Sequence, residues 1–128
     1  MISIVVGTNR QNSISKQVAL YYKTILEEKN VASQIVDLVD LPVDFTRTAL
    51  YENNGKNSAF NAIREKVQAS EKLVFIVPEY NGSFPGILKS FIDGLKYPEG
   101  VKDKKAAMVG ISSGVQGGVL AMAHLTDI

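Results

Sequence analysis

Cysteine and tryptophan are missing from this chain, and histidine occurs once. Without cysteine there is no disulfide framework, no thiolate-ligated zinc and no thiol nucleophile. With one histidine there is no multi-histidine metal site and little scope for a histidine-based triad, so no metal is expected. Net charge is almost as scarce: 14 basic against 13 acidic residues leave +1. That balance gives no electrostatic footprint for nucleic acid and no polybasic arm for a membrane surface. No apolar run approaches the roughly 18 residues of a membrane span. The first ten residues, MISIVVGTNR, lack the basic region and cleavage site of a signal peptide, so the cytoplasm is the expected compartment.

What is present is the composition of one globular domain, residues 1–128, with 45% hydrophobic residues. Its apolar pattern alternates between two periods. Met1 to Val6, Ala32 to Leu38, Lys72 to Val77 and Lys105 to Ile111 read as strands. Ser13 to Lys29, Ser58 to Ser70 (with Ser58 as cap), Pro85 to Lys96 and a last segment starting at Gly117 read as helices. Tyr21 and Tyr22 are expected to pack under the sheet. Leu41 to Asn57 has no clear period and reads as a long loop. Strands alternating with helices predict an α/β fold with a doubly wound parallel sheet. The apolar segment Ala106 to Ile111 then falls at an edge, which suggests a further strand and helix or a partner as cover.

In such a sheet, ligands bind beyond the carboxyl ends of the strands. Three connections leave that end. The first, Gly7 to Ser15 (G-T-N-R-Q-N-S-I-S), offers hydroxyls at Thr8, Ser13 and Ser15 and a guanidinium at Arg10, and it runs into a helix N-terminus. Free N–H groups and the helix dipole favour an anion there, a phosphate above all. The plainer alternative is that Ser13 only caps the helix while Arg10 is solvated. The second connection, Pro78 to Phe84 (P-E-Y-N-G-S-F), is longer than a corner needs. The third, Ser112 to Gly118, carries three glycines in seven residues and so permits close approach of a flat ligand. Together they suit a mononucleotide, adenine or flavin alike. G-x-G-x-x-G and the Walker A sequence are both absent.

These three segments, with P-E-Y-N and the following P-G-I-L-K-S-F-I-D as the most specific part, resemble the signature loops of the NAD(P)H-dependent FMN reductases, which include quinone, azo and chromate reductases. The resemblance covers essentially the whole chain. It implies a flavodoxin-like sheet of order 2-1-3-4, with the fifth strand missing, and a homodimer or homotetramer. FMN would be the bound cofactor and NADPH or NADH the co-substrate. A small-molecule electron acceptor such as free flavin, quinone, azo compound or chromate would complete the reaction. Thr8, Arg10, Ser13 and Ser15 would hold the phosphate. Pro78, Glu79, Tyr80 and Asn81 would line the flavin largely through main-chain groups, Gly82 would let the chain pass the ring, and Ser112, Ser113, Gly114 and Gly117 would border its other side. Lys89 and Asp93 match the motif as structural or subunit-contact residues. No catalytic side chain is implied, because the hydride passes through flavin N5. Glu79 lacks the titrating partner that acid catalysis needs, and His124 is given no role. Two other classes compete: an electron-carrying flavodoxin, which is usually strongly acidic, and a non-enzymatic nucleotide-binding or assembly domain.

Overall fold

The β-branched runs become four parallel strands in a computed structural model that describes residues 1–128. These are β1 (Ile2–Val6), β2 (Ser33–Asp37), β3 (Lys72–Pro78) and β4 (Lys105–Ile111), in the flavodoxin-like order β2-β1-β3-β4. The helices are α1 (Ile14–Glu28), α2 (Phe45–Thr48), α3 (Ser58–Gln68), α4 (Gly86–Asp93) and α5 (Val119–Thr126). The chain leaves β1 towards β2 and then returns to place β3 on the other side of β1. Adjacent strands β1 and β3 therefore send their following loops apart, which opens a crevice at the switch point.

The sheet's two faces are covered unequally. On one face Val5, Leu73, Phe75 and Val77 pack with Phe60 and Ile63 of α3, Phe91 of α4 and Leu125 of α5. Phe60 lies stacked on Phe45, ring centroids 5.4 Å apart, and edge-on to Phe91. On the other face Ile4, Val6, Val74 and Ile76 lie under α1 alone. Small residues, Ser15 and Ala19, are the buried points of α1, so its backbone approaches the sheet closely.

Three local expectations change. Tyr22 packs against the smaller core cluster, but Tyr21 is 69% exposed, because the helix stripe is centred on Ser15 and Ala19 rather than on the tyrosines. Asn57, not Ser58, caps α3, its side chain accepting the Phe60 N–H at 2.9 Å. The segment read as a long loop contributes Leu41, Phe45, Ala49 and Leu50 to the main core. It is built from α2 and a short 3-10 turn at Tyr51–Asn53, too brief to establish a helical period.

Candidate functional site

Gly7 ends β1 against β3: its N–H donates to the Ile76 carbonyl at 2.9 Å, and a Cβ at this position would lie 2.6 Å from that same oxygen. Glycine is therefore required by strand packing before any ligand is considered. Thr8, 1% exposed, turns its hydroxyl into the loop, where it accepts the Arg10 main-chain N–H at 3.2 Å. Ser13 caps α1 by accepting the Lys16 N–H at 3.2 Å. An oxygen that accepts this bond still has its own proton to donate, so capping and anion binding are compatible at Ser13. Ser15 is buried one residue into the helix.

Electrostatics at this helix start favour a negative guest. The first turn of α1 contains no acidic residue. Lys16 is tied to buried Asp37 at 3.0 Å, and the hydrogen bond and charge of Asp37 hold it above the ordinary lysine range. Arg10 enters no ion pair, so its guanidinium is left uncompensated at the rim.

The β3–α4 connection is a miniature hairpin. Tyr80 N–H donates to the Ser83 carbonyl at 2.7 Å and Ser83 N–H returns to Tyr80 at 3.1 Å. The two residues between them, Asn81 and Gly82, have φ of 52° and 75°. Positive φ at both central positions, filled by Asn-Gly, is the signature of a type I′ turn. Glu79 N–H is bound to the Ile111 carbonyl of β4 at 2.8 Å. The main-chain donors of Glu79 and Tyr80 are thus committed inside the protein. The segment also presents a side chain: the Tyr80 phenol sits 2.8 Å from Thr8 Oγ1. The main-chain N–H groups of Asn81 and Gly82, at the tip of the turn, have no partner within the chain. The main-chain N–H groups of Ser112 and Ser113, across the crevice, have no partner within the chain.

A depression of about 360 Å³ joins these parts. Thr8, Arg10, Ser13, Ser15, Pro78, Glu79, Tyr80, Ser112 and Ser113 line it. Asn12, Ile14 and Ile111 line it too, although the sequence reading passed them over. Asn12 carried a usable signal, an asparagine in a loop, the residue type that tolerates the left-handed backbone it adopts at φ of 53°. Asn81, Gly82, Gly114 and Gly117 lie outside the lining. Asn81 and Gly82 are the two central residues of the Tyr80–Ser83 turn. A Cβ on Gly82 would meet nothing within 4 Å, so the left-handed backbone, not a crowded contact, calls for glycine. Lys89 and Asp93 form an exposed i,i+4 pair at 2.6 Å on α4. His124 Nδ1 lies 3.0 Å from Ser83 Oγ and so joins α5 to the hairpin. No group of histidine and acidic side chains is arranged to hold a metal, and no helix is long and apolar enough to cross a membrane.

A family model described as NADPH-dependent FMN reductase matches residues 1–128. A 2-hydroxy-1,4-benzoquinone reductase from Burkholderia sp is 30% identical over 130 residues, covering 99% of this chain and 68% of that protein. An FMN-dependent NADPH-azoreductase from Staphylococcus aureus is 29% identical over 115 residues, covering 88% of this chain and 60% of that protein. Among solved structures, the flavoenzyme NAD(P)H:(acceptor) oxidoreductase FerB from Paracoccus denitrificans superposes with a TM-score of 0.79 at 26% identity, covering 98% of this chain and 68% of that one. The chain thus spans about two thirds of the length of the proteins it matches.

Proposed function

The chain belongs to the NADPH-dependent FMN reductase family, and from that premise we propose that it binds FMN beyond β1, β3 and β4 and passes reducing equivalents from NADPH or NADH to a small oxidised acceptor, with quinones and azo compounds as the first candidates. One observation carries the proposal. Hydroxyls, a guanidinium and an acid-free helix N-terminus converge on the same depression as the β3 and β4 loops. That donor set fits a phosphate, and the remaining walls fit a flat ring.

Thr8, Ser13, Ser15, Arg10 and the first N–H groups of α1 would hold the phosphate. FMN bound there supplies the hydride chemistry. The protein's task is placement and electrostatics. Unpartnered N–H groups at Ser112 and Ser113 are the donors available to charge developing on the bound group. Glu79 lines the wall and is given no catalytic part.

Val115 in the loop before α5 and Val119 and Leu120 at its start are exposed. We place a second copy of the chain against this apolar face, in a homodimer or homotetramer. We place the reaction in the cytoplasm, where NADPH is maintained. Sedimentation of the purified protein reads the assembly directly.

The deciding experiment is a fluorescence titration of FMN into the purified chain, followed by NADPH oxidation with a quinone and no partner reductase. Quenching with turnover is the expected result. Quenching without turnover would indicate a carrier, and no quenching at all would remove the proposal. Arg10→Ala should weaken FMN binding by about 1.5–3 kcal/mol through loss of a charge-assisted contact.

A further inference from the structure

Tyr80 is held more firmly than an exposed loop tyrosine normally is. Its main chain is clamped on both sides of the Asn81–Gly82 turn, and Glu79 before it is pinned to β4. Those constraints aim the phenol back across the crevice, where it meets Thr8 Oγ1 at 2.8 Å. A hydroxyl pair therefore spans from the β3 loop to the β1 loop, at the mouth of the proposed phosphate cradle.

The pair has spare donor capacity. Two hydroxyls bring two protons, and their mutual bond uses one. Thr8 Oγ1 also accepts the Arg10 N–H, and with Thr8 donating its own proton to the phenol oxygen it is the Tyr80 O–H that stays unclaimed. Both residues line the depression, so a guest's oxygen atoms can claim that proton. A phosphate dianion does so as a charge-assisted acceptor, and the uncharged end of an unphosphorylated flavin does so only weakly.

We propose that the Tyr80 hydroxyl is the residue-level determinant that selects phosphorylated flavin over its unphosphorylated counterpart. The proposal rests on the FMN reading of the site. Arg10 has a different part in the same recognition. Its guanidinium is exposed and attracts any anion through a field that salt screens, whereas the phenol is neutral and acts only at contact distance. The two contributions therefore separate by ionic strength.

Tyr80→Phe keeps the ring and the turn while removing the O–H. Titration of FMN and of riboflavin into the wild type and this variant, at low and at high salt, tests the idea. The FMN Kd should rise about tenfold at both salt concentrations, with the riboflavin Kd changing less than about twofold. Thr8→Val, which removes the other hydroxyl, should narrow the FMN-to-riboflavin ratio in the same direction. A thermal melt of each variant without flavin reports its folding, and a variant that fails to fold leaves the other to decide. Equal losses for the two flavins would overturn the proposal, because Tyr80 would then act through its ring or the fold. An unchanged ratio in both variants would overturn it as well while leaving the FMN reading intact. A wild type that binds neither flavin would overturn both.

Discussion

β3 and β4 are each seven residues long, both start on lysine, and they lie in register from Lys72 against Lys105 to Pro78 against Ile111. Yet every residue of β3 from Leu73 to Pro78 is buried, while none of β4 is. β3 has β1 on one side, β4 on the other and helices on both faces. β4 has one strand neighbour, and its surroundings are only partly filled by α5. A strand's apolarity states what it is able to bury, and its neighbours decide what it does bury. The same contrast extends to the loops that follow. The one after β3 is a clamped turn, and the one after β4 is exposed and glycine-rich.

Matched truncations in the two strands give the largest expected difference. Ile76→Ala removes a fully buried side chain from between the sheet and α1. It should cost about 2–5 kcal/mol in denaturant unfolding, the usual penalty for a large-to-small change in a core. Val109→Ala, one strand over and opposite Ile76 in the register, removes a half-buried group and should cost under about 1 kcal/mol. Equal costs would mean that β4 is covered in solution, by a second copy or another segment, and the contrast would then belong to the isolated chain alone.

A second pair compares the loops. Gly82→Val forces a β-branched residue into φ of 75°, a conformation that costs about 1–3 kcal/mol away from glycine. By loosening the turn it should also weaken FMN binding, although the substituted position lies outside the pocket. Gly114→Ala adds a Cβ 3.4 Å from Ser112 Oγ, an ordinary contact, and should change stability by less than about 0.5 kcal/mol. Thermal unfolding with and without FMN reads both effects. A neutral Gly82→Val would mean that the hairpin is not what positions Tyr80.

The difference between strands and loops also explains how far this protein was legible from its residues. Strand and helix periods set out the βα alternation, and the three connections at the carboxyl end of the sheet, beside the switch between β1 and β3, are the ones that line the depression. Segment 41–57 reads as loop because Pro42 and a short 3-10 turn at Tyr51–Asn53 interrupt any 3.6 period. Even so, Leu41, Phe45 and Ala49 recur at intervals of four, and all three are in the core. In P-E-Y-N-G-S, the Asn-Gly pair was visible, but it was interpreted through the ligand and not through the turn it makes. The Tyr80 side chain lines the crevice, and free main-chain donors lie both in its own turn, at Asn81 and Gly82, and across from it, at Ser112 and Ser113. Hydrogen-bond pairing between distant segments, such as Glu79 with Ile111, has no local sequence signal, so which donors remain free could only be seen in the fold.

The smallest predicted effect concerns the sheet's other edge. β2 is an edge strand like β4, but its final residue is fastened to α1 by the Lys16–Asp37 ion pair. Because Asp37 raises the folded-state pKa of Lys16, the pair's contribution is fully present below the ordinary lysine value of about 10.4. It is lost as pH rises through the higher folded value. Unfolding midpoints measured from pH 9 upward should therefore fall slightly more steeply in the wild type than in Lys16→Met, with most of the difference arising above about pH 10.4. The contact is partly exposed, so added salt should shrink that difference. Parallel curves for wild type and variant would show that β2 is secured by its apolar contacts with α1 alone, and that the two edges differ only in what packs over them.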